Sequence, residues 1–147
     1  MKSRTPLSEL MTADLYTVDE YDTMEAVARI FSRHEIHHVP VINEKKELAG
    51  IISKSDFLKI SLGMSLFSEP EENEYNSALY KTTLVRDVMS KIVVCLEPKD
   101  TAEVAARIFM ENLFHALPIC ENGKLVGIVT TYDLINFAFK KERQGLA

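Results

Sequence analysis

The chain contains one sequence unit twice, and this duplication constrains its fold more than any other feature. Residues 22–42 (DTMEAVARIFSRHEIHHVPVI) and 100–120 (DTAEVAARIFMENLFHALPIC) are identical at nine of 21 positions, at a spacing of 78 residues. After a one-residue change of register, residues 47–58 (ELAGIISKSDFL) match residues 124–135 (KLVGIVTTYDLI). Duplicated units of this kind fold as pseudo-symmetric halves that share a core. We therefore expect two related clefts and look for function there.

Each copy has the pattern of a strand, a helix, a hairpin and a second helix. Apolar stretches at 15–18 and 92–96 predict the first strand, and an Asp-Thr pair before a 3.6-residue apolar period predicts the first helix. A His-x-h-Pro-h stretch, where h is apolar, and the apolar run after it predict the hairpin, for which Asn122-Gly123 is a turn signal in the second copy.

The predicted fold is therefore α/β (α+β), with two pseudo-symmetric βαββα units. Their predicted boundaries are residues 7–60 and 84–140, and residues 61–83 form the linker between them. The acidic middle of the linker predicts an irregular or mobile segment near 68–78, and its more apolar flanks favour partial packing.

Composition and charge narrow the possible functions. With 147 residues, 46% hydrophobic and 27% charged, the chain resembles an ordinary globular protein. No apolar run is long enough to cross a membrane, and residues 1–10 lack the apolar core of a secretory signal, so we expect a cytoplasmic protein without a membrane partner. A net charge of -5 without a basic tract argues against nucleic-acid binding.

The chain has two cysteines, Cys95 and Cys120, both flanked by apolar residues and without CxxC spacing. They are predicted to be reduced core thiols, and a disulfide or metal-binding pair is the alternative.

Each predicted hairpin ends in Gly-h-h-Ser/Thr-x-x-Asp, which places Ser53 with Asp56 and Thr130 with Asp133 at the start of a helix. A hydroxyl and the first amides of a helix can donate to a phosphate. A carboxylate can accept hydrogen bonds from the two hydroxyls of a ribose. The alternative is that these residues only cap their helices.

The Met-Thr/Ser openings at 11–12 and 89–90, the His-x-h-Pro-h strands and the Gly-h-h-Ser/Thr-x-x-Asp ends together resemble a tandem pair of CBS domains, named after cystathionine β-synthase. The resemblance implies that the two units pack through their sheets and that the pair forms a homodimer. It also implies that the clefts bind adenosine-containing ligands, namely AMP, ADP, ATP or S-adenosylmethionine.

The resemblance also implies roles for individual residues. Ser53, Asp56, Thr130 and Asp133 would bind phosphate and ribose. The adenine pocket would be built by residues that follow the opening Met or precede the motif proline: Thr12, Tyr16, Val39, Ser90, Val94 and Leu117.

The two predicted sites differ in charge. Members of the family often have Arg after the motif His, where this chain has His38 in the first copy and Ala116 in the second. Lys54 lies within the first Ser-x-x-Asp, and its counterpart Thr131 is uncharged. We therefore expect the two clefts to bind unequally.

Rival sites have weaker support. His34, His37 and His38 form a cluster that suggests zinc, but no further ligands stand at a suitable spacing. The nucleophile motif GxSxG, the P-loop and the GxGxxG turn are absent from the sequence. We therefore expect no catalytic residues, no metal and no cofactor. The predicted function is a stand-alone regulatory module that senses an adenine nucleotide and acts on an unidentified protein target. The alternative is a homodimerising interaction scaffold whose clefts bind no ligand.

Overall fold

The structure is a computed structural model that describes residues 2–65, 78–91 and 94–145. The chain divides into two compact units. Residues 16–92 form the first-repeat unit, and residues 1–15 together with 93–147 form the second-repeat unit. Most of the segment predicted to be irregular, near 68–78, lies outside the described residues; residue 78 itself is helical.

The first-repeat unit follows the predicted order of elements. They are β1 (Val18–Asp19), α1 (Met24–Arg33), β2 (His38–Ile42), β3 (Leu48–Ser53) and α2 (Lys54–Ser65). The sheet order is β1-β2-β3, with β1 parallel and β3 antiparallel to β2. Residues 78–82 form the described end of a further helix, α3. The βαββα prediction is therefore confirmed for this unit.

The second-repeat unit contains α4 (Ala102–Met110), β4 (Ala116–Glu121), β5 (Lys124–Thr130) and α5 (Thr131–Gly145). The antiparallel hairpin β4-β5 matches β2-β3. At the place that corresponds to β1, Leu96 makes a single parallel bridge to Ile119. This bridge is equivalent to the β1–β2 pair Val18–Val41, because both residues are shifted by the repeat spacing of 78.

The predicted first strands, 15–18 and 92–96, were too long. Strand β1 begins only at Val18, and Leu96 contributes one bridge, while residues 92 and 93 are not described. A tight turn follows at once in both units. The carboxylate of Asp22 accepts the Asp19 N–H at 2.8 Å, and that of Asp100 accepts the Glu97 N–H at 2.7 Å. These turns end the parallel pairing and lead the chain into the next helix.

Each unit has its own apolar core. In the first, α1 contributes Met24, Val27 and Phe31 at helical spacing, and these side chains pack with buried residues of β2 and β3. Tyr80 of α3 packs against the same core, so the apolar flank of the linker does pack, as its composition suggested. In the second unit, Ala105 of α4 packs with buried Leu117, Ile119 and Val129.

The hairpin turn predicted at Asn122-Gly123 is confirmed. Both residues have positive φ, 52° and 79°, as a type I′ turn requires.

The opening segments of the two repeats are exchanged between the units. In the second-repeat unit, the N–H of Leu7 donates to the Asp100 carbonyl at 2.7 Å, and Thr12 exchanges two backbone hydrogen bonds with Ile128. In the first-repeat unit, the equivalent bonds join Val85 to Asp22 and Ser90 to Ile51. The contiguous boundaries 7–60 and 84–140 stay a prediction for the sequence repeats, whereas each compact unit contains the opening of the other repeat.

Candidate ligand-binding site

The first Ser-x-x-Asp forms the junction between β3 and α2. Ser53 ends the strand, and its Oγ accepts the backbone N–H of Asp56 at 3.0 Å, which caps the helix. The N–H of Lys54 donates to the His37 carbonyl at 2.7 Å and so ties the helix start to β2. Within the described residues no hydrogen bond reaches the half-buried Asp56 carboxylate. Both of its oxygens can therefore accept hydrogen bonds from a ligand.

The second motif has the same junction with an additional bond. The Oγ1 of Thr130 accepts the Asp133 N–H at 3.2 Å, and Asp133 Oδ2 accepts the Thr130 N–H at 2.9 Å. The N–H of Thr131 donates to the His115 carbonyl at 3.1 Å. This reciprocal arrangement is a capping box, which leaves one carboxylate oxygen, Oδ1, without a backbone donor.

The alternative that these residues cap their helices is therefore correct in part. Both hydroxyl oxygens accept a helix N–H, and Asp133 also takes part in its cap. Asp56 makes no such bond within the described residues. A hydroxyl that accepts an N–H can still donate its own proton, so capping and ligand binding are compatible at Ser53 and Thr130.

The exchanged openings change which residues share a site. The sequence order suggests that Thr12 accompanies Ser53 and Asp56, but the structure places Thr12 in the unit with Thr130 and Asp133. Ser90 correspondingly lies in the unit with Ser53 and Asp56, bridged to Ile51. Both hydroxyl residues are exposed.

A glycine in each hairpin permits this approach of the opening. A Cβ on Gly50 would lie 2.7 Å from Met89 Sδ, and a Cβ on Gly127 would lie 2.5 Å from Met11 Sδ. The opening Met and the hairpin Gly of the repeated motif are therefore complementary in shape, although they belong to different repeats.

Tyr16 and Val94 remain with their own repeats. Tyr16 is 44% exposed and stacks on His34, with ring centroids 3.8 Å apart and an interplanar angle of 20°. Val94 is half-buried and packs against the core of the second-repeat unit. His34 was not among the residues predicted for this site. The only sequence signal for His34 was the histidine cluster, which suggested zinc instead.

Val39 and Leu117 occupy interior positions. Both side chains are fully buried, where they pair with Ile52 and Val129 across the hairpins. Only main-chain atoms of these two residues could contribute to an adenine pocket while the core stays packed.

The predicted difference in charge has a structural counterpart. His38 lies directly opposite Ser53 in the β2-β3 register, and Ala116 lies opposite Thr130 in β4-β5. His38 and Lys54 are both half-buried. An imidazole thus lies opposite Ser53 across the hairpin and an ammonium group follows it in the chain, whereas a methyl group and a hydroxyl take the equivalent places around Thr130.

The cysteines do not match the prediction of two core thiols. Cys95 is exposed and Cys120 is half-buried; both are free, and their sulfurs are 3.6 Å apart. The prediction failed because the buried positions are taken by their chain neighbours Leu96 and Ile119, and adjacent residues of an extended chain point to opposite sides.

The described residues contain no group of three or more His, Cys, Asp or Glu side chains placed to hold a metal ion. Their helices include none with the length and apolar character needed to span a membrane.

Comparison with known proteins identifies the class of molecule. Residues 7–63 and 85–140 each match the family model of the CBS domain, and together they cover more than half of the chain. The chain belongs to the CBS domain family and carries a tandem pair of these domains.

Relatives share both the sequence and the fold. An uncharacterised protein of Methanocaldococcus jannaschii is 29% identical, and the match covers 88% of each chain. The CBS domain of a CBS domain-containing membrane protein from Sphaerobacter thermophilus is 29% identical with a TM-score of 0.77, covering 92% of this chain and 88% of that one.

Two further neighbours, under 25% identical, share the fold. CBSX2 of Arabidopsis thaliana, solved in complex with AMP, has a TM-score of 0.73 at 24% identity, covering 93% of this chain and 98% of that one. The CBS domain pair of protein MJ0100, solved with 5-methylthioadenosine and S-adenosyl-L-methionine, has a TM-score of 0.74 at 20% identity, with the same coverage.

Proposed function

We propose that this CBS pair is a regulatory module that binds an adenosine-containing ligand: AMP, ADP, ATP or S-adenosylmethionine. Two neighbours of the same fold were solved with such ligands, one with AMP and the other with 5-methylthioadenosine and S-adenosyl-L-methionine. The pair would act without catalysing a reaction itself, as a cytoplasmic sensor.

The observation that carries the proposal is the junction between hairpin and helix, present once in each unit. It combines a hydroxyl, a carboxylate and the amino-terminal end of a helix, which is the chemistry that a ribose phosphate requires. An exposed hydroxyl from the exchanged opening, Ser90 or Thr12, belongs to the same unit as each junction. In the first-repeat unit, the Asp56 carboxylate has both oxygens available for a diol.

A bound nucleotide would act on an unidentified protein target by changing the population of conformations of the pair. A ligand can shift such an equilibrium only by the difference in its affinity for the two states. A ligand that contacts both the opening of one repeat and the hairpin of the other favours the state in which these segments are packed together.

Ligand-induced stabilisation tests the proposal. The purified full chain is melted with and without millimolar AMP, ADP, ATP or S-adenosylmethionine. At a concentration about 100 times the Kd, a ligand stabilises the native state by about 2.7 kcal/mol, which gives a clear rise in Tm. If no ligand raises the Tm and calorimetric titration shows no heat of binding, the nucleotide-sensing proposal is wrong.

Substitution of the two aspartates assigns the sites. Asp56→Ala removes the acceptor of a diol and should weaken binding at least tenfold, since hydrogen bonds to a charged group contribute about 1.5–3 kcal/mol each. The stability of this variant should stay within about 0.5 kcal/mol of the original, because the Asp56 carboxylate accepts no helix N–H within the described residues and the backbone N–H that takes part in the cap is kept. Asp56→Asn is the matched control for charge, since it keeps one acceptor oxygen.

If Asp56→Ala lowers stability and leaves affinity unchanged, Asp56 has a structural role. The same pair of measurements on Asp133→Ala should show losses of both affinity and stability. We expect the affinity losses at Asp56 and Asp133 to be unequal because of His38 and Lys54.

A second candidate function is that of a homodimerising scaffold, and one surface favours association. Tyr132, Ile135 and Phe139 of α5 are 72%, 59% and 55% exposed, and their spacing of three and four residues puts them on one helix face. Leu58, which matches Ile135 in the repeat, is 46% exposed on α2. Dimerisation and ligand binding are compatible, so a dimer whose melting no nucleotide affects would favour the scaffold.

A further inference from the structure

The two cysteines of the chain are brought together by backbone pairing in the second-repeat unit. The N–H of Leu96 donates to the Pro118 carbonyl at 3.0 Å, and the N–H of Cys120 donates to the Leu96 carbonyl at 2.8 Å. These bonds hold the segment that carries Cys95 alongside β4, which carries Cys120. The contact therefore has a backbone framework on both sides.

The thiols already touch. The Cys120 thiol donates a hydrogen bond to the Cys95 sulfur, with the two sulfurs 3.6 Å apart. A disulfide bond measures about 2.0 Å, so the sulfurs must approach each other by about 1.5 Å. Rotation about the two Cα–Cβ bonds can supply a movement of this size. The chain has only these two cysteines, so any disulfide within one chain must join them.

The two thiols differ in access, and the surroundings of Cys120 make it a weaker acid than an ordinary thiol. Cys95 is exposed, whereas Cys120 is half-buried. Burial, followed by the hydrogen bond to Cys95 and the charge interaction with it, raises the pKa of Cys120 to about 12. A soluble oxidant therefore meets the Cys95 sulfur first, while Cys120 remains a protonated thiol next to it.

We propose that Cys95 and Cys120 form a reversible disulfide, which makes the second-repeat unit responsive to peroxides and to disulfides such as oxidised glutathione. With hydrogen peroxide, the Cys95 thiolate takes one oxygen and becomes a sulfenic acid, and the rest of the peroxide takes up a proton and leaves as water. The Cys120 sulfur then attacks the Cys95 sulfur and forms the S–S bond. The sulfenic hydroxyl departs with the Cys120 proton as a second water, so two electrons pass from the thiols to one peroxide.

The disulfide would cross-link two segments of the second-repeat unit. The linked residues are 25 positions apart, and α4 and the start of β4 lie between them. Closing a loop of this length restricts the unfolded chain. The oxidised protein should therefore melt roughly 5 °C or more above the reduced protein. The proposal does not depend on nucleotide binding.

Intact-mass measurement tests for the Cys95–Cys120 disulfide directly. The reduced full chain is incubated with one equivalent of hydrogen peroxide or with excess oxidised glutathione, and the remaining thiols are alkylated. We expect a mass lower by two hydrogen atoms, no alkylation, and the return of both thiols after dithiothreitol treatment. The proposal fails if both thiols remain alkylatable, if two glutathiones add to one chain, or if the disulfide joins two chains on a non-reducing gel.

Matched variants separate the roles of the two sulfurs. Cys120→Ser leaves the exposed Cys95 alone and should take up one glutathione. Cys95→Ser leaves the half-buried Cys120, whose thiol is a weaker acid, and should react about tenfold more slowly near neutral pH. Neither variant should show an oxidant-dependent rise in Tm. Equal reactivity of the two variants, or an oxidised native chain that melts no higher than the reduced one, would overturn the proposal.

Discussion

The replacement of Gly50 by alanine is the most direct test of the exchanged openings. The new Cβ would lie 2.7 Å from Met89 Sδ, 2.7 Å from the Ser90 carbonyl oxygen and 2.9 Å from Met89 Cγ. The methionine side chain can move aside. The carbonyl cannot do so easily, because it accepts the Ile51 N–H at 3.1 Å and the Ser90 N–H donates back to Ile51 at 2.9 Å.

The cost can be worked out from these contacts. Overpacking a fitted site costs about 1–3 kcal/mol. Stretching or breaking one hydrogen bond of the Ile51–Ser90 bridge adds about 0.5–1.5 kcal/mol. Replacing glycine also restricts the unfolded chain, and this raises the stability by about 0.4–1 kcal/mol. We expect Gly50→Ala to lower the free energy of unfolding by about 0.5–4 kcal/mol.

Gly127→Ala is the matched control. The three heavy atoms nearest to its Cβ would all belong to the Met11 side chain, with Sδ at 2.5 Å, Cγ at 2.9 Å and Cβ at 3.2 Å. Because methionine is unbranched and adaptable, this clash is easier to relieve. We expect Gly127→Ala to be the milder substitution by about 0.5–1.5 kcal/mol, the cost of the strained hydrogen bond at Gly50.

Double-mutant cycles and urea titration followed by far-ultraviolet circular dichroism give the decisive measurement. Met11→Ala should offset much of the cost of Gly127→Ala, whereas Met89→Ala should offset little of the cost of Gly50→Ala because the Ser90 carbonyl remains. Complete rescue of Gly50→Ala by Met89→Ala, or equal costs at the two glycines, would refute the reasoning.

Two further predictions concern α5, the helix that follows the second hairpin. Asp133→Ala should lower stability by about 0.5–2 kcal/mol through loss of the capping box. Asp133→Asn keeps an acceptor for the Thr130 N–H and should lose less stability. Equal losses of the two variants in denaturant melts would contradict this prediction. Ile135→Glu should shift a homodimer toward monomer in sedimentation analysis without a comparable loss of stability, since Ile135 is 59% exposed. Lys124→Gln at an exposed site of the hairpin lowers the net charge by the same one unit and is the control for charge. An unchanged sedimentation coefficient would remove α5 from the interface.

Much of the fold could be predicted from the sequence, because the signals for its turn, strands and helices are local. The type I′ turn follows from Asn122-Gly123, since both residues tolerate positive φ. The His-x-h-Pro-h stretches became strands, and both helices after the hairpins begin within two residues of the expected position. The first strands were overestimated because apolar residues before a tight turn look the same in sequence whether or not they have a neighbour to pair with.

The candidate site could be predicted from the sequence only in part. The residues of the Ser/Thr-x-x-Asp motifs were named from the sequence. The Asp133 carboxylate accepts the Thr130 N–H, whereas within the described residues the Asp56 carboxylate accepts no backbone N–H, and this difference depends on side-chain rotation. Similarly, the contact between the Cys95 and Cys120 thiols depends on which strand lies beside β4, and no spacing rule indicated it.

The sequence by itself determined that there are two equivalent repeats, the order of elements within each repeat, and which residue types stand at the end of each hairpin. Only the tertiary structure decided that Met89 packs on Gly50 and Met11 on Gly127. The two openings, Met-Thr and Met-Ser, are chemically nearly the same, and so are the two hairpin glycines. Local sequence therefore gives neither pairing an advantage, and the choice is made by the packing of the whole chain, in which each opening completes the core of the other repeat.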